Sequence, residues 1–103
     1  MAFDRLVALN VTDPDGYGRY RDGMSPILAR YGGTFRYDAW VSDVLISQAD
    51  HPINRLFVLS CPDEDTLRAF FRDPDYLAVR SQWFDASVQG ATVIAEYSRD
   101  DVA

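Results

Sequence analysis

The sequence of 103 residues contains no lysine, only one cysteine and only one histidine. Without lysine, no side chain can form a Schiff base with a carbonyl substrate. The lone cysteine, Cys61, cannot form an internal disulfide, a Cys-x-x-Cys motif or the four-thiolate shell of an iron–sulfur cluster. Because it ends the apolar run 55–61, we expect this thiol to be a buried and unreactive core residue.

Long apolar runs and basic clusters are missing as well. The first eleven residues include an acid, Asp4, and their apolar stretch is too short for a signal peptide or a membrane span. Sixteen acidic residues against ten arginines give a net charge of −6, which repels phosphate backbones and anionic lipids. We therefore expect no nucleic-acid partner, no membrane association and a cytoplasmic location.

What the sequence does contain is enough apolar material for a packed core. Apolar residues make up 48% of the chain and aromatic residues 14%, well outside the range of disordered proteins. The length has room for one domain and not for two. We predict a single domain over residues 1–103, with its core at about 3–97 and a polar tail at 98–103.

Apolar periodicity predicts the order strand, helix, strand, strand, helix, strand, with a further short helix before the last strand. The predicted strands are 3–11, 34–41, 55–61 and 91–97, and the predicted helices are 13–31, a second opening at 62–63, and 73 to about 84. Pro26 should kink or divide the first helix, and Gly32-Gly33 should end it. Residues 47–54 are predicted to be a loop, and 44–46 either extends the second strand or folds back.

The triplet Asp-Pro-Asp occurs twice, at 13–15 and at 73–75. In each copy the first Asp can accept hydrogen bonds from free backbone amides, and Pro suits the first helical position. The second Asp then lies at the positive end of the helix dipole. Two carboxylates without further oxygen ligands make a poor cation site, so we interpret both triplets as helix starts.

This element order predicts an α+β, ferredoxin-like βαββαβ fold, in which a four-stranded antiparallel sheet carries its helices on one face. The other face is too apolar to be left in water. A second copy of the same sheet is the simplest cover, and two such sheets form a dimeric α+β barrel with room for a small ligand. We therefore predict a homodimer with a small-molecule pocket between the sheet and the partner.

Polar residues within the predicted strands are the candidates for a ligand site. Arg36, Asp38 and Trp40 alternate along the second strand, Asn10 lies near the end of the first, and Glu96 lies in the last. On the barrel face they would combine a cation, two acids and an amide in an apolar chamber. The alternative is that Arg36 and Asp38 lie on an edge strand, either salt-bridged or solvated.

His51 is the only histidine, and histidine is the side chain that exchanges protons near neutral pH. Beside Pro52 in a polar loop, it is predicted to be exposed. The alternative is a general base at the mouth of the pocket. A polar loop does not suit a haem ligand, which needs a fixed and buried position.

Several short motifs, taken in order, resemble one known family. They are Leu9-Asn10-Val11-Thr12-Asp13-Pro14, the stretch from Pro26 to Gly33, Asn54-Arg55 before an apolar strand, Pro62-Asp63 before a helix, and Phe71-Arg-Asp-Pro-Asp-Tyr76 followed by Arg80. Over roughly residues 5–97 this pattern resembles the family called domain of unknown function 1330. That family is similar to the dimeric α+β barrel proteins, whose relatives include cofactor-free monooxygenases, lactone isomerases and haem enzymes.

The resemblance implies the fold, the dimer and the central pocket, and it brings no established catalytic residues. The family tends to place glycines after its second strand, where this chain has Trp40-Val41-Ser42-Asp43 and a longer loop to His51. The rim of the pocket therefore differs from the family pattern.

Three hypotheses for function follow. The first is an enzyme that works without a metal or an organic cofactor, resembling the monooxygenases or the isomerases, in which Arg36 holds an anionic or enolate oxygen. In that enzyme Asp38, Glu96 or His51 would move a proton. The second is a binding or sensing module with the same pocket and no catalysis, and the third is a structural dimer whose barrel is a filled core.

Overall fold

The computed structural model describes residues 1–100, which form four strands and four α-helices. The strands are β1 (Ala2–Val11), β2 (Thr34–Trp40), β3 (Arg55–Cys61) and β4 (Val88–Arg99). The helices are α1 (Pro14–Arg30), α2 (Glu64–Arg72), α3 (Pro74–Val79) and α4 (Asp85–Ser87), with a π-helical turn at Arg80–Phe84 between the last two.

The four strands pair antiparallel in the order β2-β3-β1-β4. The helices lie on one face, where their apolar side chains and those of the two central strands form the core. Its members include Val7, Leu9, Tyr17, Met24, Leu28, Leu59, Leu67, Phe70 and Tyr76. This is the predicted ferredoxin-like α+β arrangement.

Both Asp-Pro-Asp triplets are helix starts, as predicted. The Asp13 carboxylate accepts a hydrogen bond from the Gly16 backbone amide at 3.2 Å, and the Asp73 carboxylate accepts one from the Asp75 amide at 2.8 Å. In each helix the proline follows its capping aspartate directly. The helix α1 continues through Pro26 as one element, so the proline does not divide it.

Three details differ from the predicted elements. The strand β4 begins at Val88 and ends at Arg99, so two residues assigned to the polar tail belong to the sheet; residues 101–103 lie outside the described part of the chain. The segment 41–54 has no regular structure, and 44–46 does not extend β2. The predicted helix to about Phe84 changes to π-helical geometry at Arg80.

Strand alternation assigns each side chain to one of two faces. Odd-numbered residues of β1, such as Val7 and Leu9, belong to the core, so even-numbered residues face the side without helices. We call that side the open face. Its members on the central strands are Asp4, Leu6, Ala8 and Asn10 of β1 and Leu56, Val58 and Ser60 of β3.

Candidate functional site

A cleft of about 780 Å³ lies between the segment 46–53 and β4. Its wall combines apolar side chains with a few polar ones, which is typical of small-molecule sites. The lining residues are Ile46, Ser47, Gln48, Ala49, Asp50, Ile53, Thr92, Val93 and Ile94. We call it the loop cleft.

His51 is attached to β4 beside the loop cleft. Its Nδ1 lies 2.7 Å from the backbone carbonyl oxygen of Pro52, and its Nε2 lies 2.7 Å from Oγ1 of Thr92. A carbonyl oxygen can only accept, so this geometry assigns the proton to Nδ1. In the neutral ring, Nε2 then accepts from the Thr92 hydroxyl. The basic nitrogen is therefore directed at a residue that lines the cleft.

The close packing of His51 on β4 depends on Gly90. A Cβ atom at Gly90 would lie 2.4 Å from Cγ of His51, which no real contact permits. The prediction of an exposed histidine is therefore wrong, because the ring is half-buried between its loop and the strand. Thr92 and Gly90 were not among the predicted site residues. The signal for Gly90 is a glycine within a strand, which often marks a close approach.

Arg36 lies on the open face, as does Thr34 two residues before it, and the edge strand has a bulge at this point. Phe35 pairs with Leu59 and Tyr37 pairs with Val58, which leaves Arg36 as an extra residue. Its Nη1 donates to Oδ2 of Asp4 at 2.9 Å. A bulge reverses the alternation that follows it. Residues 36 and 38 therefore point to opposite faces, and the prediction that they share one is wrong.

Asp4 was not predicted as a site residue, yet it is fully buried on the open face. Its Oδ2 also accepts from Nε of Arg99 at 3.1 Å. Burial alone would raise the pKa of this carboxyl, but hydrogen bonds from the side chains of Ser60, Arg99 and Arg36 outweigh it, and the pKa lies below its ordinary value. The carboxylate therefore stays ionised at neutral pH.

Asp38 lies on the helix side, where two arginines hold it. Arg21 donates to it at 2.7 Å, and both Nε and Nη2 of Arg55 donate at 2.8 Å. The same Arg55 stacks over the ring of Trp40 at 4.3 Å, so Trp40 lies with this group and away from the open face. Asp38, like Arg36, is therefore a salt-bridged residue of the edge strand β2, which is the alternative stated for these two residues.

Glu96 is also on the helix side. It pairs with Arg5 across the strands, accepts from Arg5 at 2.9 Å and from Arg68 of α2 at 2.9 Å, and Arg5 in turn stacks on Phe71 at 4.3 Å. The predicted cluster of Asn10, Arg36, Asp38 and Glu96 on one face is therefore wrong.

Of the predicted site residues, the open side has Asn10, Arg36 and His51. Asn10 is half-buried at an even position of β1. Arg36 reaches Asp4, whereas the partner of His51, Thr92, pairs with Ala8. Asp4 and Ala8 are four residues apart on β1, which corresponds to roughly 13 Å. Arg36 and His51 therefore lie at separate parts of the open face.

Cys61 is buried, as predicted. Burial, with a contribution from Asp63, raises the pKa of its thiol to about 11, so it is not a thiolate nucleophile at neutral pH. Within residues 1–100, no group of three or more His, Cys, Asp or Glu side chains could hold a metal ion. No helix in that range is long and apolar enough to cross a membrane.

Comparisons with solved structures give the same fold. A protein of unknown function from Rhodopseudomonas palustris superposes with a TM-score of 0.79 at 19% identity, covering 98% of this chain and 84% of that one. A dimeric ferredoxin-like protein of unknown function from Thermobifida fusca has a TM-score of 0.61 at 16% identity, with 96% and 92% covered. SnoaB, a cofactor-independent oxygenase from Streptomyces nogalater, has a TM-score of 0.58 at 13% identity, with 98% and 93% covered.

No curated protein matches the chain. The model of one family, domain of unknown function 1330, matches residues 5–97, which include all four strands almost completely and the segment that forms the loop cleft. This is the resemblance that the ordered motifs indicate. The chain belongs to the DUF1330 family.

Proposed function

We propose that this protein binds a small, largely apolar molecule in the loop cleft and acts on it as a cofactor-independent enzyme. The observation that carries the proposal is the His51–Thr92 contact at 2.7 Å beside the cleft. In the proposed reaction Nε2 of His51 accepts a proton from the bound molecule, either directly or through the Thr92 hydroxyl. Asp38 and Glu96, tied to arginines on the helix side, take no part.

The suitable substrates are molecules that become reactive once a proton is removed. Enolisable ketones and phenols give electron-rich anions on deprotonation, and such anions can isomerise or react with dioxygen without a bound cofactor. SnoaB, which shares the fold, is a cofactor-independent oxygenase. That likeness supports the choice of an oxygenase or isomerase reaction for this chain.

A homodimer is part of the proposal. Large apolar side chains remain exposed on and around the open face, among them Tyr37, Leu45, Ile46, Ile94 and Tyr97. Covering them with a second copy would remove apolar area from water and close the loop cleft. Relatives described as dimeric support this assembly. We also propose a cytoplasmic location, since the single cysteine leaves no internal disulfide to form.

The test combines a substrate panel with a His51→Gln variant. Enolisable ketones and phenols are incubated with the protein, proton exchange is followed by NMR in D₂O, and dioxygen uptake is followed with an electrode. Glutamine can keep a hydrogen bond to Thr92 but cannot act as the base, so turnover should fall by about 10²- to 10⁴-fold. Arg30→Gln, a change on the exposed surface of α1, should leave turnover unchanged. Equal turnover by wild type and His51→Gln would refute the role of His51.

A non-catalytic binding module is the second candidate. The observation that favours it is that Nε2 of His51 already has a partner in Thr92, so the ring could simply fasten the loop to β4. Under this alternative a panel compound would bind, as seen by titration calorimetry, without exchange or dioxygen uptake. Static light scattering tests the dimer separately, and a strict monomer at micromolar concentration would contradict it.

A further inference from the structure

A second cavity, of about 410 Å³, lies at the end of the sheet where β2 begins and β3 ends. Its volume falls within the range of small-molecule sites. The lining residues are Ala2, Gly32, Thr34, Arg36, Ser60, Cys61, Pro62 and Arg99. We call it the arginine cavity.

The polar side chains that line the arginine cavity are all hydrogen-bond donors. Arg36 contributes a guanidinium group and Thr34 a hydroxyl group. Arg99, which donates to Asp4 and to Ser60, adds positive charge. Among residues 1–100, no acidic side chain lines the cavity, although the chain has 16 acidic residues and a net charge of −6. A site that offers cationic and neutral donors selects for an oxyanion, because each donor needs an acceptor in the ligand.

Asp4 holds the two arginines in position beneath the cavity. It is fully buried, and its Oδ2 accepts from Arg36 at 2.9 Å and from Arg99 at 3.1 Å. Only Nη1 of Arg36 is bonded to a described residue, so further N–H groups of its planar fork are available to a ligand. With 31% of its side chain exposed, Arg36 is both anchored and accessible.

Asp4 itself lies outside the lining of the cavity. Because its carboxylate is fully buried, a ligand does not reach it. Asp4 contributes by holding the guanidinium groups.

We infer that the arginine cavity binds a small oxyanion, a carboxylate or a phosphate, through the N–H groups of Arg36 that no residue within 1–100 accepts, with the Thr34 hydroxyl as a further donor. This site is separate from the loop cleft, since the two lie roughly 13 Å apart along β1. It therefore stands whether or not His51 is catalytic. Asp4 acts as a positioning residue that fixes the guanidinium groups.

The experiment is titration calorimetry of the wild-type protein with sodium phosphate and, separately, with sodium acetate, at constant ionic strength set by sodium chloride. We expect saturable binding of one anion per chain for at least one of them, and the stronger binder identifies the oxyanion class. Arg36→Gln should weaken this binding by about ten- to a hundredfold, the usual effect of losing a hydrogen bond to a charged group. Arg36→Lys, which keeps the charge without the fork, should weaken it less.

Arg30→Gln is the matched control, because it removes an arginine that is 56% exposed and lies on α1. Circular dichroism verifies that each variant is folded. Absence of saturable binding to wild type, or equal weakening by Arg36→Gln and Arg30→Gln, would overturn the inference. A signal reproduced by sodium chloride alone would also overturn it, since it would show screening of the general charge and no site.

Discussion

The two faces of the sheet differ in how completely their charged side chains are paired. On the helix side, Asp38 and Glu96 are each held by two arginines, and Phe70 of the core is fully buried. On the open face, Arg36 has N–H groups that no residue within 1–100 accepts, and Tyr37 is 65% exposed. The open face thus retains spare hydrogen-bond donors, whereas the carboxylates of the helix side are paired with arginines.

The largest expected effect is on the free energy of unfolding, and it tests whether the helix side contributes most of it. Phe70 of α2 is completely buried, and Phe70→Ala should lower the free energy of unfolding by about 3–5 kcal/mol through lost burial and a cavity. Tyr37→Ala on the open face should cost less than about 1 kcal/mol in dilute solution, as for an ordinary surface change. Urea unfolding measures both.

Repeating the measurement at several protein concentrations separates the effect of self-association from that of folding. If a second copy covers the open face, Tyr37→Ala should weaken self-association in sedimentation experiments, whereas Phe70→Ala should lower stability at every concentration. Equal losses of stability for the two variants in dilute solution would contradict the contrast between the faces.

The next effect concerns the loop that crosses to β4. In Gly90→Ala the new methyl group would overlap the His51 ring, so the ring must move, at a cost of about 1–3 kcal/mol from overpacking. The control is Gly18→Ala in α1, where a Cβ has open space and where alanine should stabilise the helix by roughly 0.5–1 kcal/mol. NMR of the His51 ring nitrogens should show a change with Gly90→Ala only, and an unchanged spectrum would refute the packing.

The elements and their order could be predicted from the sequence because they depend on local signals. The Asp-Pro-Asp triplets cap two helices, and the apolar period of α1 marks the face that it buries. The site depends on register, which is not local. One extra residue at Arg36 reverses the alternation of side chains along β2. The composition of Thr34–Trp40 does not predict that bulge.

Long-range contacts account for the rest of what was missed. Asp4 is an acid near the N-terminus, and only the pairing of four strands shows that Arg36, Ser60 and Arg99 surround it. In the same way, the sequence marks His51 only as a loop residue, and the fold brings Gly90 and Thr92 into contact with its ring. The grouping of the candidate residues was therefore wrong, and a role for any of them stays a prediction.

The smallest expected effect concerns the paired carboxylates on the helix side. Hydrogen bonds from Arg68, opposed by burial and aided by Arg5, place the pKa of Glu96 below its ordinary value of 4.5. For Asp38, burial raises the pKa, but hydrogen bonds from Arg55 and Arg21 outweigh it and bring the pKa below 3.8. Because both groups have a lower pKa in the folded state, the stability they contribute is present above their unfolded values and is lost as the pH falls through the folded ones.

Both side chains remain partly exposed, at 29% for Asp38 and 26% for Glu96, so solvent screens these pairs. Asp38→Asn or Glu96→Gln should each lower the free energy of unfolding at neutral pH by less than about 1 kcal/mol, and each should flatten its decline below about pH 4.5. Asp43→Asn, which removes an exposed acid in the irregular segment 41–54, serves as the control in urea unfolding from neutral pH to about pH 3. If the decline is as steep in both variants as in wild type, the acid sensitivity must come from the other carboxyls whose pKa is lowered, Asp4 on the open face or the helix-capping Asp63 and Asp73.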